Sequence, residues 1–504
     1  MIVTHEQVRA PLDEACDYVI VGSGPSGATV ARVLAEAGEE VVIVEEGAPW
    51  PLEKRKPQLY HTMKGAWRDM GTNAAVGSAL IPILQGCVVG GSSVINSAIC
   101  WRMPEDVHHL WSEDRGIAEA IPYAALERAF ERVERELNVH PVEAPARGNQ
   151  NNLMEAGCEK LGYTGHRIER NERDCRGSGR CLQGCPHGAK LSMDLSYIPH
   201  AMKNGARVYA TCRVERIETT GERATGVVGT FHDPILKRRA HPMRIRARKG
   251  VVIAASAIQT PLLLLRSRLA NSSKQVGRHF QAHPGAGVVG IFDHEVRMWE
   301  GATQGYETAH FRSQGYKLEA VALPPELAAA RLPGVGRKLA RGLSMYKNMT
   351  LIGAQVRAKA HGRVMPAGGG RPFVWYSLTE RDVQVLKHGL KKICEINFAA
   401  GAKAVLPGIH GFPEALTSPD QLHLFDHARM RARDFSLIAT HLFGTCRMGS
   451  LPRDSVVGPN FETHDVRGLY VVDSSVFPTN MGVNPQHSIM GMAWVAAEGM
   501  LSGR

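Results

Sequence analysis

Apolar and polar positions along the chain repeat with two different periods, and the changes between them predict its elements. Near the start, residues 18–21 form a short apolar run of the kind found in buried parallel strands. The run breaks at Gly22-Ser23-Gly24-Pro25-Ser26-Gly27, a helical period follows through Ala37, and a second apolar run over 41–44 ends in Glu45. Residues 122–139 set Ala125, Leu126, Phe130, Val133 and Leu137 at helical spacing between charges, and 151–161 read as a further helix. Several strands with turns are expected over 206–248, then a buried strand over 251–255 and a helix over 256–267 packed on it. From 301 to 379 the period becomes strand-like, with YKLEAVAL, TLIGAQVRA and RPFVWYSL separated by glycine and proline turns, which predicts an antiparallel sheet. A helix over 379–400 begins with Thr379 and Asp382 at capping-box positions. The end returns to α/β character, with a strand in GLYVVDSSVFP ending at Asp473 and a helix in SIMGMAWVAAEGM.

The opening strand–helix–strand unit carries G-x-G-x-x-G with an acid after its second strand, the fingerprint of a dinucleotide site. Gly22 permits the tight turn, Gly24 lets the backbone approach a pyrophosphate, and Gly27 lets helix and strand pack closely. Free N–H groups at the helix start attract phosphate. Glu45 is placed to accept from an adenosine ribose. Which dinucleotide binds is left open by these residues.

Composition narrows the class. A chain of 504 residues, 44% hydrophobic, 22% charged and with 52 glycines reads as a globular α/β protein of two or more domains. The N-terminal stretch MIVTHEQVRAPLDEA has neither a basic region nor an apolar core of a secretory signal, and no apolar run reaches membrane-spanning length. Ten scattered cysteines do not form a disulfide framework, so a cytoplasmic location is expected. The net charge of +11 is concentrated between Arg331 and Arg371, which hold nine Lys or Arg and no acid. Few aromatics and no nucleic-acid motif argue against nucleic acid. The basic segment is read either as a solvated face or as a peripheral contact with an anionic membrane surface.

Four separated motifs resemble the glucose–methanol–choline (GMC) oxidoreductases, FAD-dependent enzymes that oxidise alcohols. They are the N-terminal fingerprint, GCVVGGSSVIN, AASAIQTPLLLLRS, and the C-terminal pair HLFGTCRMG with LYVVDSSVFPTNMGVNPQHSI. The resemblance spans the full length and implies that the dinucleotide is FAD. By position, it implies an ADP site at Gly22, Gly24, Gly27 and Glu45, adenine packing on Val214, and an isoalloxazine loop at Gly90, Gly91, Ser92 and Asn96. Asp473 matches the position near the ribityl and phosphate region. Some members tether FAD through a histidine in this loop; here Ile95 stands at that place, which implies non-covalent FAD. His441 matches the family's catalytic histidine and Asn484 its second site residue. An imidazole can take the hydroxyl proton as hydride leaves for flavin N5, whereas an asparagine can only orient the oxygen. His487, three residues after Asn484, is a candidate flavin neighbour.

Cys175, Cys181 and Cys185 lie in the glycine-rich loop CRGSGRCLQGCPHGAK. Three close thiols can wrap an iron–sulfur cluster, and the loop resembles the cluster-binding stretch of FAD-dependent glucose dehydrogenases in this family. A zinc site completed by His187 and a purely structural loop are the other readings. A cluster would pass electrons to an external acceptor.

The expected fold is α/β. A Rossmann-like FAD-binding domain is assembled from 1–100, 201–294 and 431–504, with an α+β substrate domain on an antiparallel sheet from 101–200 and 295–430. The expected activity is oxidation of an apolar primary or secondary alcohol to an aldehyde or ketone, with O2 or another acceptor reoxidising the flavin. A GMC-fold lyase without net redox chemistry, a non-catalytic electron-transfer flavoprotein and an NAD-linked enzyme are the alternatives.

Overall fold

The computed structural model describes residues 1–503. The chain builds two large sheets, and the first carries the opening motif. Leu12–Val21 lies between Val41–Val44 and Arg238–Ile253, both parallel to it, with Tyr18 opposite Val41 and Val21 opposite Val44 and Ile253. Leu469–Val471 joins in parallel beside Arg238–Ile253, and the hairpin strands Arg223–Asp233 and Cys212–Thr220 extend the sheet. The carboxyl halves of these strands, residues 18–21, 41–44 and 250–253, are buried. The carboxyl ends of four strands therefore meet along one edge, where the chain continues into Gly22, Glu45, Ala254 and Asp473. Ligands bind at this edge of an open parallel sheet.

Pro25–Glu36 starts at the glycine turn with Pro25 in its first turn, and packs against the C-terminal helix Gln486–Ser502. Ser256–Ser267 spans the residues that the pattern predicted. The antiparallel sheet is larger than expected. Arg278–Ile291 is its spine, flanked by Met349–Val356, Gly362–Pro366, Ala404–Leu406 and Ile438–Phe443. Tyr316–Ala320 pairs with Met349–Val356, while Pro372–Trp375 carries the sheet to Ala74–Val76 and Leu80–Pro82. Strands from 74–82, 278–291 and 438–443 thus enter the second sheet. The long helix Glu380–Ala399 covers it, opened by the expected capping box of Thr379 and Asp382. Among the described residues, no helix is long and apolar enough to cross a membrane.

Candidate active site

A cavity of about 530 Å³ runs from the carboxyl edge of the parallel sheet to the second sheet. Gly22, Gly24, Glu45, Gly91, Ser92, Asn96, Val214, His441, Asp473 and Asn484 all line it. Two expected residues stand just behind the wall. Gly90 turns the loop with φ +96° and donates its N–H to Ser23 Oγ at 3.0 Å. Gly27 sits where helix and turn touch, and a Cβ there would lie 2.0 Å from the Gly22 carbonyl oxygen.

At the sheet end, Glu45 accepts from Ser23 N (3.0 Å), Ser23 Oγ (2.6 Å) and Gly47 N (2.8 Å). Burial raises its pKa against those bonds, yet its two oxygens still have acceptor capacity. Asp473 is held by Ser256 N at 2.9 Å, Thr260 Oγ1 at 2.6 Å and Ser475 N at 2.8 Å, which points it into the groove. Burial likewise raises its pKa. An adenine dinucleotide fits this half. No atom lies within 4 Å of where a Gly24 side chain would start, so backbone faces open space beside a helix N-terminus. Gln85 Oε1 and Trp67 Nε1 are buried around the cavity without protein partners. Such orphaned groups are costly unless a bound molecule satisfies them.

The other half is built by a β-bulge. Ala282 pairs with Leu442 and Pro284 with Ala439, so Thr440 and His441 together face the single residue His283. The extra residue turns the His441 ring edge-on to His283, with Nδ1 atoms 3.2 Å apart and ring planes at 87°. Burial, with the Lys317 charge second, lowers the His441 pKa to about 3. Its imidazole is therefore neutral at ordinary pH. Asn484 is buried and its Oδ1 has no donor in the protein. Asn96 donates to Gln486 Oε1 and accepts from Ala98 N, which fixes the loop over the cavity. His487 is not part of this wall: it is buried against Phe130, with Nε2 3.4 Å from the Phe130 carbonyl oxygen. Sequence reasoning missed Gln304, which lines the cavity, and His283 and Lys317, which act on His441 from strands 278–291 and 316–320, because only the fold brings these distant segments together.

The cysteine loop is corrected. Cys175, Cys181 and Cys185 border one small cavity with His187, but among the described residues no three His, Cys, Asp or Glu side chains converge to hold a metal ion. Neither an iron–sulfur nor a zinc site is supported. Buried cations stand at the thiols instead. Arg170 Nη2 donates to Cys181 Sγ at 3.3 Å, the Lys190 ammonium lies close enough to both Cys181 and Cys185 to act on them by charge, and the Lys190 backbone N–H donates to Cys185 Sγ at 3.4 Å. Burial opposes the Cys181 thiolate, yet Arg170 and Lys190 hold its pKa below the ordinary value. Lys190 Nζ also donates to the carbonyls of Val94 and Asn96 at 2.7 Å each, and Arg170 to that of Ser97. The loop braces the segment 94–96 from behind.

Residues 16–285 match the N-terminal model of GMC oxidoreductases, and residues 364–493 the C-terminal one. The chain belongs to the GMC oxidoreductase family. FAD is the cofactor of this family, and the residues lining the cavity's sheet half are those expected to hold it. An uncharacterised GMC-type oxidoreductase of Mycobacterium tuberculosis is 34% identical over 97% of this chain and 76% of its own length. A long-chain-alcohol oxidase of Arabidopsis thaliana is 28% identical over 95% of this chain and 67% of its own. The fold is shared with pyridoxine 4-oxidase from Mesorbium loti at a TM-score of 0.72 and 18% identity, covering 96% of this chain and 98% of that one.

Proposed function

We propose that this GMC oxidoreductase oxidises an apolar alcohol, long-chain or ring-bearing, with O2 as the electron acceptor. The observation that carries the reading is the pairing, in one cavity, of a neutral imidazole with an unpartnered buried amide oxygen beside an FAD groove. His441 and Asn484 meet the alcohol oxygen from two sides and hold its carbon toward the flavin. Bound FAD would supply the hydride acceptor and His441 would take the hydroxyl proton, so that the alcohol would leave as an aldehyde or ketone. Ile95 in place of a tethering histidine supports non-covalent FAD.

The cavity wall favours an apolar substrate. Ile95, Ile99, Leu182, Leu442 and Ile489 line it, while its acids, Glu45, Glu46, Asp69 and Asp473, belong to elements of the cofactor half. The name of the plant relative supports both the long-chain substrate and oxygen as acceptor. All ten cysteines are free thiols, which supports a reducing, cytoplasmic setting.

A lipid surface is the proposed source of such an alcohol. Met365, Phe373, Trp375, Val76 and Leu80 are between 37% and 69% exposed. Register places Met365 opposite Phe373, Trp375 opposite Val76, and Val76 opposite Leu80, so all five share one sheet face. Arg363 and Arg371 flank them, and residues 369–372 also border the main cavity. Aromatic side chains with arginines around them suit an anionic membrane surface.

Anaerobic mixing of the FAD-loaded protein with a long-chain primary alcohol is expected to bleach the flavin absorption. His441→Ala should slow that bleaching by about 10²–10⁴-fold, the usual contribution of a group that manages a proton. A flavin that stays oxidised with every alcohol would point to the lyase alternative. Undiminished reduction in His441→Ala would remove this histidine from the site.

A further inference from the structure

We infer that Gln304 is a specificity-determining residue whose side-chain carbonyl accepts a hydrogen bond from a second hydroxyl, so that the preferred substrate is an otherwise apolar diol. The inference deepens the reading of this cavity as a site of alcohol oxidation, and it rests on that reading. It starts from charges that the oxidation itself does not use. Glu307 and Glu319 are Cα partners on neighbouring antiparallel strands, both buried, and like charges so placed repel. Lys317, two residues before Glu319, shares its face of the strand and resolves the conflict. Its fully buried Nζ pairs with Glu307 Oε2 and lies 2.8 Å from Glu319 Oε1. Burial opposes the Lys317 charge, yet the two carboxylates hold its pKa above the ordinary value.

Buried charges cost desolvation and seldom add stability on their own. What this triad provides is a fixed end for Gln304. Glu307 Oε1 is taken by Trp101 Nε1 and by His166 Nε2 at 3.0 Å. Glu319 Oε2 is left for Gln304, whose Nε2 donates to it. A carboxylate paired with a lysine can only accept, so it selects the amide nitrogen and turns the amide oxygen away. Gln304 Oε1 therefore points away from Glu319, and it has no donor among the described residues.

Gln304 lines the main cavity. Arg170 Nη1 donates to the carbonyl of Ser97 and, at 3.1 Å, to that of Gln304, which sets Gln304 beside the 94–97 segment. Asn96 and Gln486 are committed to each other, and His441 and Asn484 to the reacting hydroxyl. Ile95, Ile99 and Leu182 line the cavity as well. A single acceptor held among apolar side chains selects for one further donor. A substrate hydroxyl that reaches Oε1 satisfies it, whereas a methyl group there leaves it unpaired. His441 remains the group that takes the reacting proton; Gln304 takes none.

Anaerobic reduction of the FAD-loaded protein by α,ω-diols of increasing length, each set against the mono-alcohol of equal carbon count, tests this. At one chain length the diol should bind about three- to tenfold tighter than its mono-alcohol, the worth of one net hydrogen bond, beyond the statistical advantage of two equivalent ends. Gln304→Met, of similar length but without the acceptor, should erase that preference while mono-alcohols still bleach the flavin, so that Kd moves and the limiting rate does not. No diol favoured at any length in the unsubstituted protein, or a preference that survives in Gln304→Met, overturns the inference. His441→Ala allows the same comparison from the perturbed spectrum of its oxidised flavin, without turnover. A diol preference there, with a flavin that no alcohol bleaches in the unsubstituted protein, would sink the oxidation and leave Gln304 its role. Bleaching by diols and mono-alcohols alike, with equal Kd, would do the reverse.

Discussion

Two glycines two positions apart do opposite things at the cofactor groove. Gly22 has φ +103°, and a Cβ there would lie 2.4 Å from the Ala254 carbonyl oxygen. Gly24, two residues on, has nothing within 4 Å of that position. Gly22→Ala should therefore damage the fold itself, costing more than about 4 kcal/mol through strain and backbone collision. Gly24→Ala should leave the apoprotein's denaturant midpoint nearly unchanged while sharply reducing FAD retention, because the new methyl enters the space kept for the cofactor. Equal loss of apoprotein stability in both variants would sink the distinction. These glycines were legible because a local turn needs them. His283 was not, since one histidine among 22 carries no signal until a bulge sets it against His441.

Among the elements, long periodic segments followed the pattern closely. Ser256–Ser267 and the capped helix Glu380–Ala399 lie where the sequence placed them. Sheet membership was harder to read, because pairing partners such as Ala74–Val76 and Pro372–Trp375 are about three hundred residues apart. That distant pairing creates the exposed apolar face. Vesicles containing phosphatidylserine should bind the protein, and neutral vesicles should bind it less. Phe373→Ser with Trp375→Ser should weaken the binding without changing turnover of a soluble alcohol, and high salt should weaken it through the arginines. Sedimentation with vesicles checks this; a dimer lost in the same variant, with no vesicle binding, would assign the face to a second copy of the chain. The cysteine loop shows the converse problem: its spacing suited a cluster, but Arg170, from the strand before the loop, donates to Cys181, and the backbone N–H of Lys190 at the loop's end donates to Cys185.

For the whole molecule, buried neutral histidines tie stability to pH. His487 is 1% exposed, and burial lowers its pKa to about 4, while His441 is lowered to about 3. Each binds a proton more readily in the unfolded chain, so the stability it contributes is complete above the unfolded value near 6.5 and is lost as pH falls toward the folded one. For His487 the loss at pH 5 is roughly 2 kcal/mol, at 1.36 kcal/mol per unit. Thermal melts should fall steadily between pH 6.5 and 4, and His487→Gln should flatten part of that slope; an unchanged slope would show the histidine to be more accessible than its packing implies. What the sequence by itself determined was local: the glycine turn with its terminal acid, the helices with their caps, and the family motifs that place His441 and Asn484. Each depends on neighbours within a few residues or on a short linear pattern. Only the tertiary structure decided which buried charges are paired, as with Lys317 against Glu307 and Glu319, and which way the Gln304 amide turns. Those outcomes depend on burial and on partners from distant strands, and an amide's orientation is set by what faces it.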